Sequence, residues 1–192
     1  MTIFSWRRCG VFRSGRLPLI GVFALLLVSI AGPATPATFQ PGKTTLLMNR
    51  DYAVALLTGV REARTSITVS CYLFKITKFP GNMPRRIAEE LIRARQRGVA
   101  VSVILEQSED ERDFLNRENR ATASLLTPRG IKVRFDSIRK TSHAKVVVID
   151  DRWVFLGSHN LTHSALSRNN ELSVRIDSAE MARQIQTYLG AL

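Results

Sequence analysis

His143-Ala-Lys145-Val-Val-Val-Ile149-Asp150 is the stretch that decides the fold of this chain. Its four consecutive β-branched residues predict a buried strand over 143–149, and Asp150-Asp151 predict a turn into a second strand over 152–156. Residues two apart on a strand project from the same face, so we expect His143 and Lys145 to face one ligand together. Asp150 has odd spacing from both. We expect Asp150 to lie at the end of the strand and to hold other site residues in place without contacting the ligand.

More polar residues follow in Gly157-Ser158-His159-Asn160 and at Glu171. Phosphoryl transfer needs a nucleophile, donors for the non-bridging oxygens and an acid for the leaving oxygen. An imidazole such as that of His143 can attack phosphorus and form a covalent phosphohistidine, and Glu171 could hold that ring in the attacking tautomer. The candidate donors are Lys145, Ser158 and Asn160.

Each of these residues alone has a simpler interpretation. A histidine in an apolar strand is usually a satisfied core residue, Lys145 could extend into solvent, and Asp150 could serve only in the turn. A buried His and Lys on one strand face would repel each other if both were charged, however, and would be unfavourable without a ligand or a function. The joint pattern therefore favours a catalytic site. For His159 and His163 the simpler interpretation is preferred, because neither is accompanied by other metal-ligating residues at the spacing of a zinc site.

The same residues resemble the HxKxxxxD signature of the phospholipase D superfamily, which is followed by Gly-Ser-x-Asn and then a glutamate. The resemblance spans 44–189 and implies cleavage of phosphodiester bonds with no metal or other cofactor. The sequence also lacks a His, Cys or acidic cluster with metal-ligand spacing. The implied catalytic residues are His143, Lys145, Asp150, Asn160 and Glu171, with a largely structural role for Asp150 and a substrate-binding role for Ser158.

The chain carries one copy of this motif and is too short for two. It is therefore similar to the small bacterial endonucleases of the superfamily, which pair two subunits. The resemblance implies a homodimer with a shared active site, in which one His143 attacks and the other protonates the leaving oxygen.

The first 37 residues contain no Asp or Glu, and four arginines precede the apolar stretch 17–31. This pattern predicts a signal peptide, with cleavage after Ala37 or at Ala31 or Ala34. An uncleaved N-terminal membrane anchor is the alternative, because the apolar stretch can be extended to Ala37. We expect a periplasmic or secreted protein, or an inner-membrane anchored one if the segment is retained.

Net charge narrows the class of partner. The chain has 28 basic and 16 acidic residues, and residues 38–192 keep 24 and 16, a charge of +8. Such a surplus suits nucleic acid and equally suits anionic phospholipid headgroups. The loop 136–142 carries Arg139 and Lys140 directly before His143, and we expect these two residues to bind the substrate backbone. A merely solvated loop is the alternative.

Alternating strands and helices over 38–192 predict one α/β domain, a central mixed sheet with helices on both faces. Helices are expected over 51–63, capped by Asp51, and over 84–97 and 179–189. Strands are expected over 44–48, 65–74, 99–105, 131–135 and 171–176, in addition to the hairpin. The polar stretch 107–120 is expected to precede a short helix that ends near Leu126.

The leading hypothesis is an exported, metal-independent endonuclease. A phospholipase D or cardiolipin hydrolase would use the same residues, and a broad apolar rim with membrane affinity would favour it. A third hypothesis is a nucleic-acid-binding protein in DNA transfer, against which the intact set of catalytic residues argues.

Overall fold

The computed structural model describes residues 42–192, so the predicted signal peptide or anchor lies outside the described residues. The strands are β1 (Lys43–Met48), β2 (Ser66–Cys71), β3 (Ala100–Leu105), β4 (Lys132–Phe135), β5 (Lys145–Ile149), β6 (Trp153–Gly157) and β7 (Leu172–Asp177). The helices are α1 (Arg50–Glu62), α2 (Met83–Gln96), α3 (Phe114–Leu126), α4 (His163–Ser167) and α5 (Ala179–Gly190), with a 3₁₀ turn at Thr127–Arg129.

All seven described strands form one mixed sheet in the order β1-β7-β6-β5-β2-β3-β4. β2, β3 and β4 are parallel to one another, whereas every other neighbouring pair is antiparallel. β5 lies at the centre, which explains its continuous run of buried residues. β1 lies at one edge and pairs only with β7, near the other end of the chain.

Helices cover both faces of the sheet, as the sequence predicted. On one face, Leu56 of α1, Leu91 of α2 and Leu166 of α4 join the larger apolar core. On the other face, α5 contributes Ala182 and Leu189 to a smaller one. The β5 side chains alternate between the two cores, because successive residues of a strand point to opposite faces.

Two local predictions were wrong. Helix α3 begins at Phe114, inside the polar stretch 107–120 that was expected to precede the helix, and Asp113 caps it by accepting a hydrogen bond from Leu115 N at 2.9 Å. Its inward face is polar, with buried Asn116, Asn119 and Thr122 bonded to neighbouring loops. An apolar stripe therefore could not reveal it. The second error concerns α1, where Asn49 rather than Asp51 occupies the N-cap position.

The predicted hairpin is present, but its first strand is shorter than expected. β5 begins at Lys145, so His143 lies in the segment before the strand. Asp150 and Asp151 form the turn with φ values of 54° and 49°. Aspartate tolerates this left-handed conformation better than most residues, which agrees with the turn assignment.

Candidate active site

Several strands begin or end side by side at the same end of the sheet. We call this row of strand ends the site edge. β2 ends and β5 begins there, since Cys71 pairs with Lys145. β6 ends and β7 begins at the same edge, since Gly157 pairs with Ser173. The structure brings five of the predicted site residues to within three residues of these strand ends. They are His143, Lys145, Ser158, Asn160 and Glu171.

His143 and Lys145 are in direct contact at this edge. Lys145 Nζ lies 3.2 Å from His143 Nδ1 and donates a 2.9 Å hydrogen bond to the His143 carbonyl oxygen. The contact engages Nδ1, so Nε2 is the ring nitrogen turned away from the lysine. His143 is exposed, whereas Lys145 is only 6% exposed. Strand alternation is not the reason for the pairing, but the two side chains are placed to contact one phosphate.

Tyr72, which the sequence pattern did not single out, completes this cluster. Its ring centroid lies 4.8 Å from that of His143, and Lys145 Nζ lies 5.4 Å from the Tyr72 ring. The buried Asn119 fixes this segment by donating a 2.9 Å hydrogen bond to the Tyr72 carbonyl oxygen. The signal was the position of Tyr72 directly after β2, which becomes informative only once β2 is known to pair with β5.

Burial lowers the pKa of Lys145, against the opposing influence of Cys71 and Glu171. Cys71 lies opposite Lys145, and burial raises the pKa of its thiol to about 12, although the Lys145 charge acts in the other direction. The thiol is therefore protonated at neutral pH and does not neutralise the lysine. The Lys145 ammonium bonds to His143 and not to a carboxylate, so its charge can be neutralised by a phosphate oxygen to which it donates.

Glu171 is held by its own set of neighbours. Ser158 Oγ donates to Oε2 of Glu171, and Asn169 Nδ2 donates to Oε1 at 3.1 Å. Asn49 fixes the main chain of Glu171, accepting its N–H at the side chain and donating to its carbonyl oxygen, both at 2.9 Å. The expected bond from Glu171 to the His143 ring is thus replaced by bonds to Ser158 and Asn169. Ser158 Oγ is engaged with Glu171, and its direct contact with substrate stays a prediction.

The Gly157-Ser158-His159-Asn160 turn is fixed by packing beneath it. A Cβ atom on Gly157 would lie 2.5 Å from Ser173 Cα, so only glycine permits this approach of β6 to β7. His159 is buried, contacts Ser173 Oγ at 2.7 Å and Asn49 O at 2.9 Å, and stacks on Tyr52 with centroids 4.3 Å apart. Burial lowers the pKa of His159 despite the bond to Asn49. It is therefore a neutral structural residue.

Asn160 carries a buried Oδ1 atom that has no hydrogen-bond partner in the structure. Buried polar atoms without partners are uncommon in native proteins, and functional sites are one of the places where they occur. Because Asn160 lies at the site edge, a ligand or an ordered water is the partner we expect for its amide group.

The basic loop 136–142 is bonded to the sheet through its last residue, Ser142, whereas its two cations are exposed. The buried carboxylate of Glu106, after β3, accepts a hydrogen bond from Ser142 N directly before His143. Arg139 and Lys140 are exposed, and Arg139 lines a cavity of about 360 Å³ that also contains Tyr72. Their placement is compatible with contact to a substrate backbone and equally with solvation.

Asp150 lies away from these residues, at the opposite end of β5. It lies five positions after Lys145, about 16 Å along a strand, so it cannot contact the same phosphate. Its carboxylate accepts hydrogen bonds from Arg64 N, Thr65 N, Thr65 Oγ1 and Ser66 N at 2.8–3.1 Å. Burial alone would raise the pKa of Asp150, but these donors together lower it below its ordinary value. Asp150 therefore clamps the α1–β2 loop to the hairpin.

Replacing Asp150 should reduce stability rather than chemistry. We expect Asp150→Ala to lower the free energy of unfolding by about 2 kcal/mol, because several main-chain donors lose a charged acceptor. Asp151→Ala is the matched control, since Asp151 has the same backbone conformation but accepts one bond, from Gln186 Nε2 at 3.3 Å. Urea denaturation measures the difference. A loss of activity above a hundredfold with unchanged stability would instead make Asp150 catalytic.

The same clamp sets an acid dependence. The folded-state pKa of Asp150 is depressed, so its contribution to stability is complete above its unfolded pKa of about 3.9 and is lost as pH falls through the lower folded value. The stability gap between the wild type and Asp150→Asn should therefore close below about pH 4 and stay constant from pH 5 to 7.

The arrangement combines an exposed imidazole, a buried ammonium and a fixed carboxylate at one edge. These are the groups that nucleophilic phosphoryl transfer requires. Within residues 42–192, no three His, Cys, Asp or Glu side chains are grouped so that they could hold a metal ion. In the same range, no helix has both the length and the hydrophobicity needed to span a bilayer.

Several known proteins are similar to this chain in sequence or in fold. The family model described as "Cardiolipin synthase, PLD-like domain" matches residues 56–192. A phospholipase D of Rickettsia bellii is 32% identical over 123 residues, which cover 64% of this chain and 54% of that protein. Cardiolipin synthase B of Escherichia coli K12 is 27% identical over 80% of this chain and 37% of its own length. The chain thus spans about half or less of these curated relatives.

Two solved structures match over most of their own length. Nuc from Salmonella typhimurium, described as a phospholipase D family member, superposes with a TM-score of 0.63 and 27% identity over 77% of this chain and 91% of that one. NucT from Helicobacter pylori gives a TM-score of 0.60 at 24% identity over 77% and 93% of the two chains, which supports the fold alone.

Proposed function

This chain belongs to the phospholipase D superfamily, and from this premise we propose that it is a phosphodiesterase, namely an exported, metal-independent endonuclease. One observation carries the proposal. An exposed imidazole lies 3.2 Å from a buried ammonium at the site edge, so a nucleophile and a cation can act on one phosphate.

In the proposed reaction, a substrate phosphate takes the Lys145 ammonium as its partner, which releases His143 Nδ1 to carry the ring proton. His143 Nε2 then attacks phosphorus, and the bond from phosphorus to the leaving oxygen breaks as that oxygen takes a proton from an acid. Water attacks the phosphohistidine in the second step, giving up a proton to the same group and regenerating His143. Glu171 is the proposed hydrogen-bond acceptor of the Nδ1–H, which stays on the ring throughout, once Glu171 exchanges its bonds to Ser158 and Asn169 for the ring. Asn160 is a proposed donor to a non-bridging oxygen.

The positive charge of the chain supports a polyanionic substrate, and it suits nucleic acid as well as an anionic phospholipid surface. The surplus of +8 over residues 38–192 exceeds what a single phosphate requires, and Arg139 and Lys140 are exposed on the loop that enters the site. Polyanions reward such a surplus through counterion release, because each neutralised phosphate contributes to affinity. We therefore assign these two cations to substrate binding.

We propose that the acid is His143 of a second copy of this chain, in a homodimer with a shared active site. Leu46, Met48, Leu156 and Leu172 form an apolar patch on the α5 face at the site edge, each between 41% and 56% exposed. They are joined across strands, since Met48 pairs with Leu172 and Val174 lies between Leu46 and Leu156. A twofold interface formed by this apolar patch would bring two site edges together.

The apolar patch also favours a second candidate function, hydrolysis of phospholipid headgroups. Leu156 directly precedes Gly157-Ser158, and Leu172 directly follows Glu171, so a bilayer that buried the patch would meet the catalytic groups. The curated relatives named phospholipase D and cardiolipin synthase B agree with this alternative. A third candidate is a nucleic-acid-binding protein in DNA transfer, which would bind DNA without cleaving it.

Hydrolysis should persist in excess EDTA, because imidazole and ammonium groups take the place of a metal in the proposed chemistry. The purified protein is incubated with plasmid, single-stranded DNA, RNA and phosphatidylcholine vesicles, with and without EDTA. We expect nucleic acid to be cut at equal rates in both conditions. Strict dependence on added Mg²⁺ or Zn²⁺ contradicts the mechanism, preference for the vesicles selects the lipid alternative, and binding without cleavage selects the third.

Export is part of the proposal because residues 1–37 have the composition of a signal peptide. It would also keep a weakly selective nuclease away from the genome of its own cell. Mass spectrometry of the native protein should find an N-terminus near Thr38. An intact Met1 together with recovery in the membrane fraction would establish the inner-membrane anchored alternative and a lasting membrane association.

A further inference from the structure

A second polar cavity lies at the end of the sheet opposite the site edge. It has a volume of about 580 Å³ and opens where α1 ends beside the β5–β6 turn. Its floor is apolar and includes Ile149 and Phe155. Its cationic and aromatic lining consists of Arg64, Arg152, Arg175 and Trp153, and we call it the arginine cavity.

Two of the three arginines in this cavity have no carboxylate bonded to them within residues 42–192. Arg175 Nε is buried without a hydrogen-bond partner, and its guanidinium lies 4.9 Å from the Trp153 ring centroid. Arg64 is exposed at the cavity rim. A buried donor on a cation is unfavourable when unpaired, so the site is suited to an anion. Arg152, whose guanidinium lies 5.3 Å from the same ring, is already paired with Asp177 at 2.6 and 2.8 Å.

The nearby acids do not satisfy these arginines. The Asp150 carboxylate is turned toward the main-chain donors of 64–66, and Asp177 is engaged by Arg152. Glu62, the last residue of α1, is exposed at the rim. The anionic groups that line or approach the cavity are therefore either committed to other donors or open to water, and Arg175 retains capacity for an external anion.

We propose that the arginine cavity binds a phosphate of the nucleic-acid substrate other than the one that is cleaved, an inference that rests on the proposed function. Arg175 lies four residues from Glu171 on β7, about 13 Å along the strand. A polymer must pass outside α1, because Ser173 between these residues is buried beneath His159, so at about 3.4 Å per stacked nucleotide the second phosphate lies at least about four nucleotides away. A polymer can reach both ends of the sheet. A flat bilayer docked on the site edge cannot, which favours nucleic acid over a membrane.

The test compares Arg64→Gln/Arg175→Gln with Arg112→Gln/Arg129→Gln, which removes two charges at other exposed positions. All proteins for binding carry His143→Ala, so the DNA stays intact. Arg64→Gln alone serves as a second variant, because its exposed position tolerates substitution without risk to folding. Affinity for a single-stranded 20-mer, for a dinucleotide and for phosphatidylglycerol vesicles is measured against salt concentration. Turnover of bis(p-nitrophenyl) phosphate is followed in the proteins that retain His143.

We expect the cavity variant to bind the 20-mer about tenfold more weakly and to lower the slope of log K against log salt by about 0.7 per lost phosphate contact. Dinucleotide affinity and turnover of the small diester should stay within twofold of the parent. A slope equal to that of the control pair overturns the inference, as does a loss confined to phosphatidylglycerol vesicles. If the parent itself binds no nucleic acid, the proposed function has failed first.

Discussion

His143→Ala should lose at least about 10⁴-fold in turnover of nucleic acid while remaining folded. Removing a nucleophile that forms a covalent intermediate has effects of this size, and 10⁴-fold corresponds to about 5.5 kcal/mol of barrier. Folding should be preserved because the His143 side chain is exposed and lies outside β5. Initial rates on a labelled oligonucleotide, with circular dichroism and thermal unfolding in parallel, measure the two properties separately.

His163→Ala is the matched control for this substitution. The described histidines are three, and His159 is unsuitable because it is buried beneath the site. His163 Nδ1 accepts a hydrogen bond from Met83 N at 3.5 Å, and its ring lies 5.6 Å from that of Phe79, so we expect its replacement to change turnover by less than threefold. Rapid denaturation during turnover should also trap a protein–nucleotide adduct in the wild type and none in His143→Ala. Near-wild-type turnover by a folded His143→Ala protein would remove the phosphohistidine mechanism.

Mixed dimers of wild-type and His143→Ala chains should have no more than about one hundredth of the activity of the wild-type dimer. General acid catalysis contributes about 10²–10⁴-fold, and each mixed site lacks either the nucleophile or the acid. Differently tagged chains are expressed together, and the mixed species is purified through both tags before its steady-state rate is measured. A mixed dimer that works at half the wild-type rate has two independent sites, and the acid must then lie within one chain.

The apolar patch supplies an independent test of the same dimer. Leu46→Lys places a charge on β1 at a distance from Glu171, and we expect sedimentation to show monomers with at least a hundredfold lower activity. Tyr188→Lys on α5 is the control, because Tyr188 is 56% exposed and Leu46 is 54% exposed. It should remain dimeric and active. Full specific activity from Leu46→Lys monomers would contradict the shared site.

Local sequence patterns predicted most of the fold. The buried run of β5, the Asp150-Asp151 turn and the amphipathic α2 each follow from hydrophobic spacing and turn chemistry, and each is present. Helix α3 was predicted to begin too late because its buried face consists of amides and a hydroxyl. Their partners lie on the segments after β2 and β3, and such partners are invisible before the fold is known.

The candidate site divides in the same way. The motif placed His143, Lys145 and Glu171 at one edge correctly, but it gave no account of Tyr72 or Asn49. Tyr72 reaches the cluster because β2 pairs with β5, and Asn49 reaches Glu171 because β1 pairs with β7. Both pairings join segments that are far apart in the chain. Contacts of this kind depend on topology, which residue spacing within a motif does not encode.

The pairing of β1 with β7 also determines how early the sheet can finish folding while the chain is being synthesised. β1 is the first described strand, and its partner is made only after nearly all of the remaining chain. At about 5–20 residues per second, the ribosome leaves β1 unpaired for roughly ten seconds, and Leu47, which is only 6% exposed in the folded domain, stays accessible to chaperones during that time. A nascent chain whose sheet has not yet formed can still pass through a narrow translocation channel. The order of the strands would therefore leave time, before folding is complete, for the leader proposed in residues 1–37 to direct the chain to a translocon.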